Sequence, residues 1–188
     1  MMDGRVDAIR EVADHDPACM VSIEYKPNEP RAFSLLPDMA TTLLAIKEAG
    51  SPNLGVTLDF AHVLYADEVP AFAAAMIHRH SKLLGVHLND GYGKRDDGLM
   101  VGSVNTKATL ELLVQIQKDG YDGAIYFDTF PDASGLDPVA ECEANIATVE
   151  SLLRAADRLT ADNRLGEAVG RQDAVTSQQI VNAALEGS

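Results

Sequence analysis

Four short apolar runs in this chain each end in residues able to bind a cation or move a proton. The first ends in Glu24-Tyr25-Lys26, the second in Asp59-Phe60-Ala61-His62, the third in His87-Leu88-Asn89-Asp90 and the fourth in Asp128. Side chains alternate along an extended strand. Glu24 therefore shares a face with Lys26, Thr57 with Asp59, His87 with Asn89, and Tyr126 with Asp128. The opposite face is apolar, as at Val56 and Leu58 or Ile125 and Phe127. Three carboxylates and one imidazole brought together suit a hard or borderline divalent cation such as Mg²⁺, Mn²⁺ or Co²⁺. Without one, the carboxylates would raise each other's pKa. Scattered helix caps do not repeat in one register over four consecutive strands. Other candidates are weaker. His78 and His80 lie two apart on a helix and do not share a face, which marks them as surface residues. His15 stands at a helix end, where a cation suits the dipole. Cys142 falls in an amphipathic helix, where packing is expected.

These residues must be held by the segments between them. Residues 5–15 read as a helix with Val6, Ile9, Val12 and Ala13 on one side, and 19–25 as a strand. A helix within 34–49 is stopped by Gly50, and 54–60 form the next strand. Residues 67–82 read as a helix with Asp67 as N-cap and Pro70 in the first turn. Then follow a strand at 83–89, a glycine-containing loop at 91–102, a helix at 106–118 ended by Gly120, a strand at 123–129 and a helix at 138–159. The tail, 160–188, holds one expected helix near 177–185, packed on a partner subunit or left mobile. Four strand–helix alternations define an α/β chain with a parallel sheet and right-handed crossovers. In such sheets and barrels the C-terminal strand ends converge on one mouth. Neither GxGxxG after the first strand nor GxxxxGK[ST] is present, which argues against the doubly wound nucleotide-binding folds.

Composition narrows the partners. With 29 acidic against 15 basic residues, the formal charge of −14 repels phosphate backbones and disfavours nucleic acid. It suits a neutral ligand or a cation. The start, Met1-Met2-Asp3-Gly4-Arg5, shows no apolar signal core, and no run approaches the roughly 20 apolar residues that span a bilayer. With two cysteines only, a cytoplasmic location without membrane contact is expected.

The stretch Ile23-Glu24-Tyr25-Lys26-Pro27-Asn28-Glu29-Pro30-Arg31 closely resembles the IEPKPNEPR strand-five signature of xylose isomerases. The order that follows is similar: Leu35-Leu36-Pro37, then Leu54-Gly55-Val56, then an acid with His three residues on, here Asp59 and His62. His87-Leu88-Asn89 stands where those enzymes have Asp-Leu-Asn, and Tyr126-Phe127-Asp128 where they have His-Phe-Asp. His at position 87 is more like L-rhamnose isomerases and ketose 3-epimerases of the same superfamily. The resemblance covers about 18–130 and continues through the last strong helix.

The resemblance implies a (β/α)8 TIM barrel, with the four units here matching strands five to eight, a half barrel over 1–159 followed by a tail at 160–188. It implies that Glu24, Asp59, His87 and Asp128 bind the metal that holds two substrate oxygens, with Asp59 bridging to a second metal and His62 its imidazole ligand. It implies that Lys26 steadies the carbonyl oxygen during a hydride shift. The remaining second-metal ligands come from an Asp-x-Asp-Leu pattern. Here that stretch is Arg95-Asp96-Asp97-Gly98-Leu99, one residue short, so Asp96 and Asp97 are both candidates and Asp90 a substitute. Mn²⁺ is the foremost cation, with Mg²⁺, Co²⁺ and Zn²⁺ alternatives. The implied activity is aldose–ketose isomerisation of a small sugar, with Lys26, His62, Glu24 and Asp128 in the catalytic set. The alternatives are a ketose 3-epimerase using Glu24 and Asp128 as acid and base, a zinc-type abasic-site endonuclease disfavoured by charge, and an inactive fragment acting through association. A full barrel needs about 250 residues, so the chain is expected to lack a first half that supplies a ring-opening histidine and an aromatic wall. It would leave two sheet edges and an apolar lumen uncovered, to be closed by that half or by another copy.

Overall fold

A computed structural model of the chain describes residues 3–130 and 137–187. Helix α1 (Asp3–Asp14) precedes strand β1 (Val21–Glu24) and a hairpin of two-residue strands, β2 (Asn28–Glu29) and β3 (Ala32–Phe33). Helix α2 (Met39–Ala49), strand β4 (Leu54–Asp59), the short helix α3 (Phe60–Tyr65) and helix α4 (Pro70–His80) follow. Then come β5 (Leu83–Leu88), α5 (Thr106–Lys118), β6 (Ile125–Phe127), α6 (Pro138–Ala161), α7 (Asn163–Gly170) and α8 (Ala174–Glu186).

Strands β1, β4, β5 and β6 form one parallel sheet in that order, each helical crossover returning the chain to the next strand. Apolar side chains on one face (Val56, Leu58, Val86, Leu88) are fully buried with Ala73, Ala74 and Ile77 of α4 and Leu110, Leu112 and Leu113 of α5. Each large aliphatic side chain withdrawn from water there stabilises the fold by about 1.5–3 kcal/mol. Helices α1, α2, α4, α5 and α6 form a continuous layer over this face. The other face carries Ser22, Thr57 and Tyr126 in the register of the candidate residues, with Ser22 Oγ and Thr57 Oγ1 sharing a hydrogen bond of 2.7 Å. That face is small and polar rather than the apolar lumen expected. Its main apolar feature is Leu84, extruded by a bulge between Val56 and Thr57. A Cβ at Gly55 would stand 2.5 Å from Leu84 Cγ, so only glycine fits opposite the bulge.

Several local expectations are corrected. The strand at 54–60 runs directly into helix α3, because the Asp59 carboxylate caps that helix through His62 N at 2.9 Å. Asp67 is not the cap of α4: it adopts a left-handed φ of 56°, and the helix starts after Val69 without a side-chain cap. Val12 is exposed, since α1 buries the Val6–Ile9–Ala13 stripe. Cys142 is exposed rather than packed, because α6 turns its buried side inward mainly after Asn145. The tail holds two helices instead of one, and Arg158 of α6 donates to Ala184 O of α8 through Nε (3.1 Å) and Nη2 (2.5 Å). His78 and His80 are exposed as expected. The positions Met1, Met2 and Ser188 lie outside the described residues.

Candidate metal centre

Parallel pairing in register sets the candidate residues side by side. Glu24 pairs with Thr57 across β1 and β4, Asp59 with His87 across β4 and β5, and Asp128 follows the end of β6, its N–H donating to Leu88 O at 3.3 Å. One ligand atom from each of Glu24, Asp59, His87 and Asp128 lies within 4.8 Å of every other. Atoms about 2.1–2.4 Å from a shared ion stand at most roughly 4.2–4.8 Å apart, so the four can touch a common cation. The imidazole is central: His87 Nδ1 is 3.3 Å from Glu24 Oε1 and 3.8 Å from both Asp59 Oδ2 and Asp128 Oδ2. Nδ1 is buried and closes no hydrogen bond. A buried polar atom aimed among three carboxylates without a partner is what a ligand position demands. The donor set fits a divalent ion. Tyr126 packs edge-on against the His87 ring at 5.6 Å and limits its rotation.

The electrostatics follow from depth. Asp59 is 1% exposed. Burial pushes its carboxyl up to about 6, against the lowering pull of His62 and Asn89. Asn89, itself fully buried, donates through Nδ2 to Asp59 Oδ1 (3.2 Å), Asp59 Oδ2 (3.0 Å) and Asp128 O (3.1 Å), while its Oδ1 accepts from Ala61 N at 2.8 Å. Glu24 is lowered by its contact with His87, and His87 is raised by the same contact.

A second group adjoins the first. His62 Nε2 and Lys26 Nζ each lie 3.1 Å from Asp96 Oδ2, and His62 Nδ1 lies 3.4 Å from Glu24 Oε1. Burial lowers both His62 and Lys26, but the carboxylates around them, Asp96 with Glu29 for Lys26 and Asp96 with Asp59 and Glu24 for His62, together outweigh it and leave each raised. Asp96 reaches inward because its loop is pinned on either side. Buried Asp90 accepts from the N–H groups of Gly91, Val104 and Asn105, each at 2.8 Å. Phe130 N donates to Gly98 O at 2.9 Å, and the ring lies where a Cβ at Gly98 would be, 2.4 Å away. Asp97 points elsewhere: it accepts from Tyr92 N at 2.8 Å and Arg95 Nε at 2.6 Å. Asp97 and Asp90, both candidates from the sequence, thus build the loop and do not face the ion position.

The family model for the xylose isomerase-like TIM barrel matches residues 2–163. The chain belongs to that family. Over 127 residues it is 26% identical to an uncharacterised protein of Methanocaldococcus jannaschii, a match covering 66% of this chain and 42% of that protein. Over 109 residues it is 33% identical to the xylose isomerase of Thermus thermophilus, covering 57% of this chain and 28% of the enzyme. The chain thus spans less than half the length of these relatives. A crystal structure of a D-tagatose 3-epimerase-like protein superposes with a TM-score of 0.71 at 21% identity, covering 85% of this chain and 57% of that one. At that identity the likeness speaks for the fold.

Within this family member the sequence pattern did not reveal the cavity beside the centre. About 820 Å³ is lined by Lys26, Asn28, Phe33, Tyr65, Asp96 and Phe130, and Lys26 also borders a smaller cavity of about 370 Å³ that reaches Glu24 and His62. Tyr65 and Asn28 are hydrogen-bonded across it. Tyr65 closes the six-residue helix α3, in a stretch between the expected strand at 54–60 and helix at 67–82 where no periodicity pointed to it. Among the described residues no helix is long and apolar enough to cross a membrane.

Proposed function

We propose that the chain provides the metal-binding part of a divalent-metal-dependent sugar isomerase that interconverts an aldose and a ketose. The observation that carries this reading is the convergence of Glu24, Asp59, His87 and Asp128 on a shared point, beside a cavity bordered by the Lys26 ammonium. A divalent cation, Mn²⁺ foremost, would supply Lewis-acid polarisation of two sugar oxygens there. Lys26, kept charged by Asp96, donates to a carbonyl oxygen as negative charge grows on it while hydrogen passes between C1 and C2. His62 orients Asp96 from the other side, and the partly exposed carboxylates of Glu24 and Asp128 face solvent at the rim. An open, polar cavity of about 370 Å³ that reaches Glu24, Lys26 and His62 suits a small hydroxylated substrate.

A ketose 3-epimerase is the second reading, with Glu24 and Asp128 as acid and base. His87 in place of a carboxylate fits it as well as it fits an L-rhamnose-type isomerase. One experiment separates the two: the chain, alone and together with a complementary four-strand half, is supplied with Mn²⁺ and aldoses or ketoses deuterated at the reacting carbon. Retention of label in transfer from C2 to C1 supports isomerisation. Loss of label from C3 to solvent with inversion at that carbon overturns it in favour of epimerisation.

A further inference from the structure

Lys26 and Glu29 border two cavities at once. The smaller, of about 370 Å³, reaches Glu24 and His62 and receives the reacting end of a sugar under the proposed function. The larger, of about 820 Å³, touches none of the four candidate ligands, and its lining is of another kind. Lys26, Arg31 and Arg95 all line it, in a chain whose formal charge is −14. The acids on the same wall are engaged: Glu29 and Asp96 both turn to the Lys26 ammonium, at 3.3 Å and 3.1 Å. The two arginines are left to face the cavity. Arg31, exposed in the turn between β2 and β3, closes no hydrogen bond or ion pair with any described residue. Arg95 is held through Nε alone, at 2.6 Å from Asp97 Oδ1, and its side chain is 80% exposed. Asp97 is 4% exposed and accepts from Tyr92 N as well, so it anchors the arginine from beneath and leaves the Nη groups open.

We infer that the larger cavity is an anion subsite, in which Arg31 and Arg95 bind a phosphoryl or carboxylate group carried by the sugar at the end remote from its reacting carbons. The inference rests on the proposed isomerisation for the placement of the reacting end. A guanidinium presents a planar fork of N–H donors that matches the oxygens of either group, and such charge-assisted bonds are the strong ones. The two arginines come from separate segments, the hairpin and the 91–102 loop, so a group held between them is read by both. A neutral sugar would leave both guanidiniums to water. The acidic surface elsewhere repels anions, which sharpens the preference for this one cavity. Phe33, 90% exposed, and Phe130 give the intervening carbon chain an apolar border.

Nuclear magnetic resonance titration of the full 188-residue chain tests this, with D-ribose, D-ribose 5-phosphate, D-glucose and D-glucuronate as probes, without metal and then with Mg²⁺. At least one charged sugar is expected to bind about 10- to 100-fold more tightly than its neutral counterpart, the range that hydrogen bonds to charged groups supply. Preference for the phosphate assigns a phosphoryl group to the subsite, and preference for the glucuronate a carboxylate. Because both arginines reach solvent, the preference should shrink as salt is raised. Arg31→Gln and Arg95→Gln should each remove most of it while Mn²⁺ affinity stays unchanged. Equal Kd for charged and neutral sugars, or a preference that survives in the folded double variant, would overturn the inference. A charge preference lost in the double variant, in a chain that binds no divalent ion, would instead sink the proposed isomerisation and leave the anion subsite standing.

Discussion

The two inner strands and the two edge strands of the sheet contribute equally to the candidate centre and hold their ligands differently. Asp59, on inner strand β4, is 1% exposed, caps a helix and is bound through both oxygens by Asn89. Glu24 and Asp128 follow the edge strands and reach solvent, the side chain of Glu24 being 33% and that of Asp128 40% exposed. Glu24 is held chiefly by its approach to His87 and His62. The inner ligand is therefore preorganised by the fold at the expense of burying a charge. The edge ligands are cheap to hold and free to adjust. One part of the centre sets position, the other tunes affinity.

The largest effect expected from this contrast comes from removing charge at the inner position. Asp59→Asn keeps the shape but loses the anionic ligand, and Mn²⁺ affinity should fall by more than the roughly 100-fold that outer-shell changes reach at most. Its melting temperature without metal should hold or rise, because a buried carboxylate is gone. Glu24→Gln should cost only about tenfold in affinity. Its stability should change by no more than about 0.5 kcal/mol, as for other solvent-reaching positions. Calorimetric titration and thermal melts of the two variants read this directly. Equal losses in both would break the contrast.

Next in size is the residue that supports the inner ligand. Asn89→Ala leaves Ala61 N and the Asp59 oxygens short of partners in a dry site. An unsatisfied buried group costs about 1–3 kcal/mol. Urea unfolding should show that loss, together with a 10–100-fold weaker Mn²⁺ affinity of the kind outer-shell partners govern. A variant that loses affinity at full stability would mean that Asn89 orients Asp59 without supporting the fold.

Much of the centre was legible in the sequence because two simple regularities coincide there. Alternation along each strand put Glu24, Asp59, His87 and Asp128 on one face, and parallel crossovers put those strand ends at one rim. Asn89 shares the face of His87 and was noted in the pattern, but nothing in its own type says that it spans Asp59 and the Asp128 backbone. That depends on the β5–β6 spacing in three dimensions. The hairpin over 28–33 escaped because two-residue strands carry no period. Helix α3 escaped because Asp59 serves at once as strand end, cap and candidate ligand, and no loop residue separates the elements. The choice between Asp96 and Asp97 turned on which way a loop faces, and that is decided by Asp90, Gly98 and Phe130, none of which touches the ion position.

The contrast also predicts a slope with pH, which arises because proton and ion compete for the same inner site. Asp59 titrates near 6 in the fold against an ordinary 3.8, so the metal-free native state holds its proton more tightly than the unfolded chain does. Its stability should therefore fall as pH rises from about 4 to about 6, by on the order of 3 kcal/mol for a shift of this size. His87, raised by Glu24, extends the decline above its ordinary 6.5, since an imidazolium stabilised by the fold is lost as pH rises. An ion reverses the sign. Ligation requires Asp59 ionised and His87 neutral, so Kd should improve by up to about tenfold per pH unit for each proton displaced. Stabilisation by a saturating ion grows as Kd falls. Melting curves with and without Mn²⁺ should consequently diverge between pH 5 and 8, the metal-free protein losing stability while the loaded protein does not. Curves that stay parallel over that range would mean the ion binds away from Asp59, leaving the edge carboxylates to hold it alone.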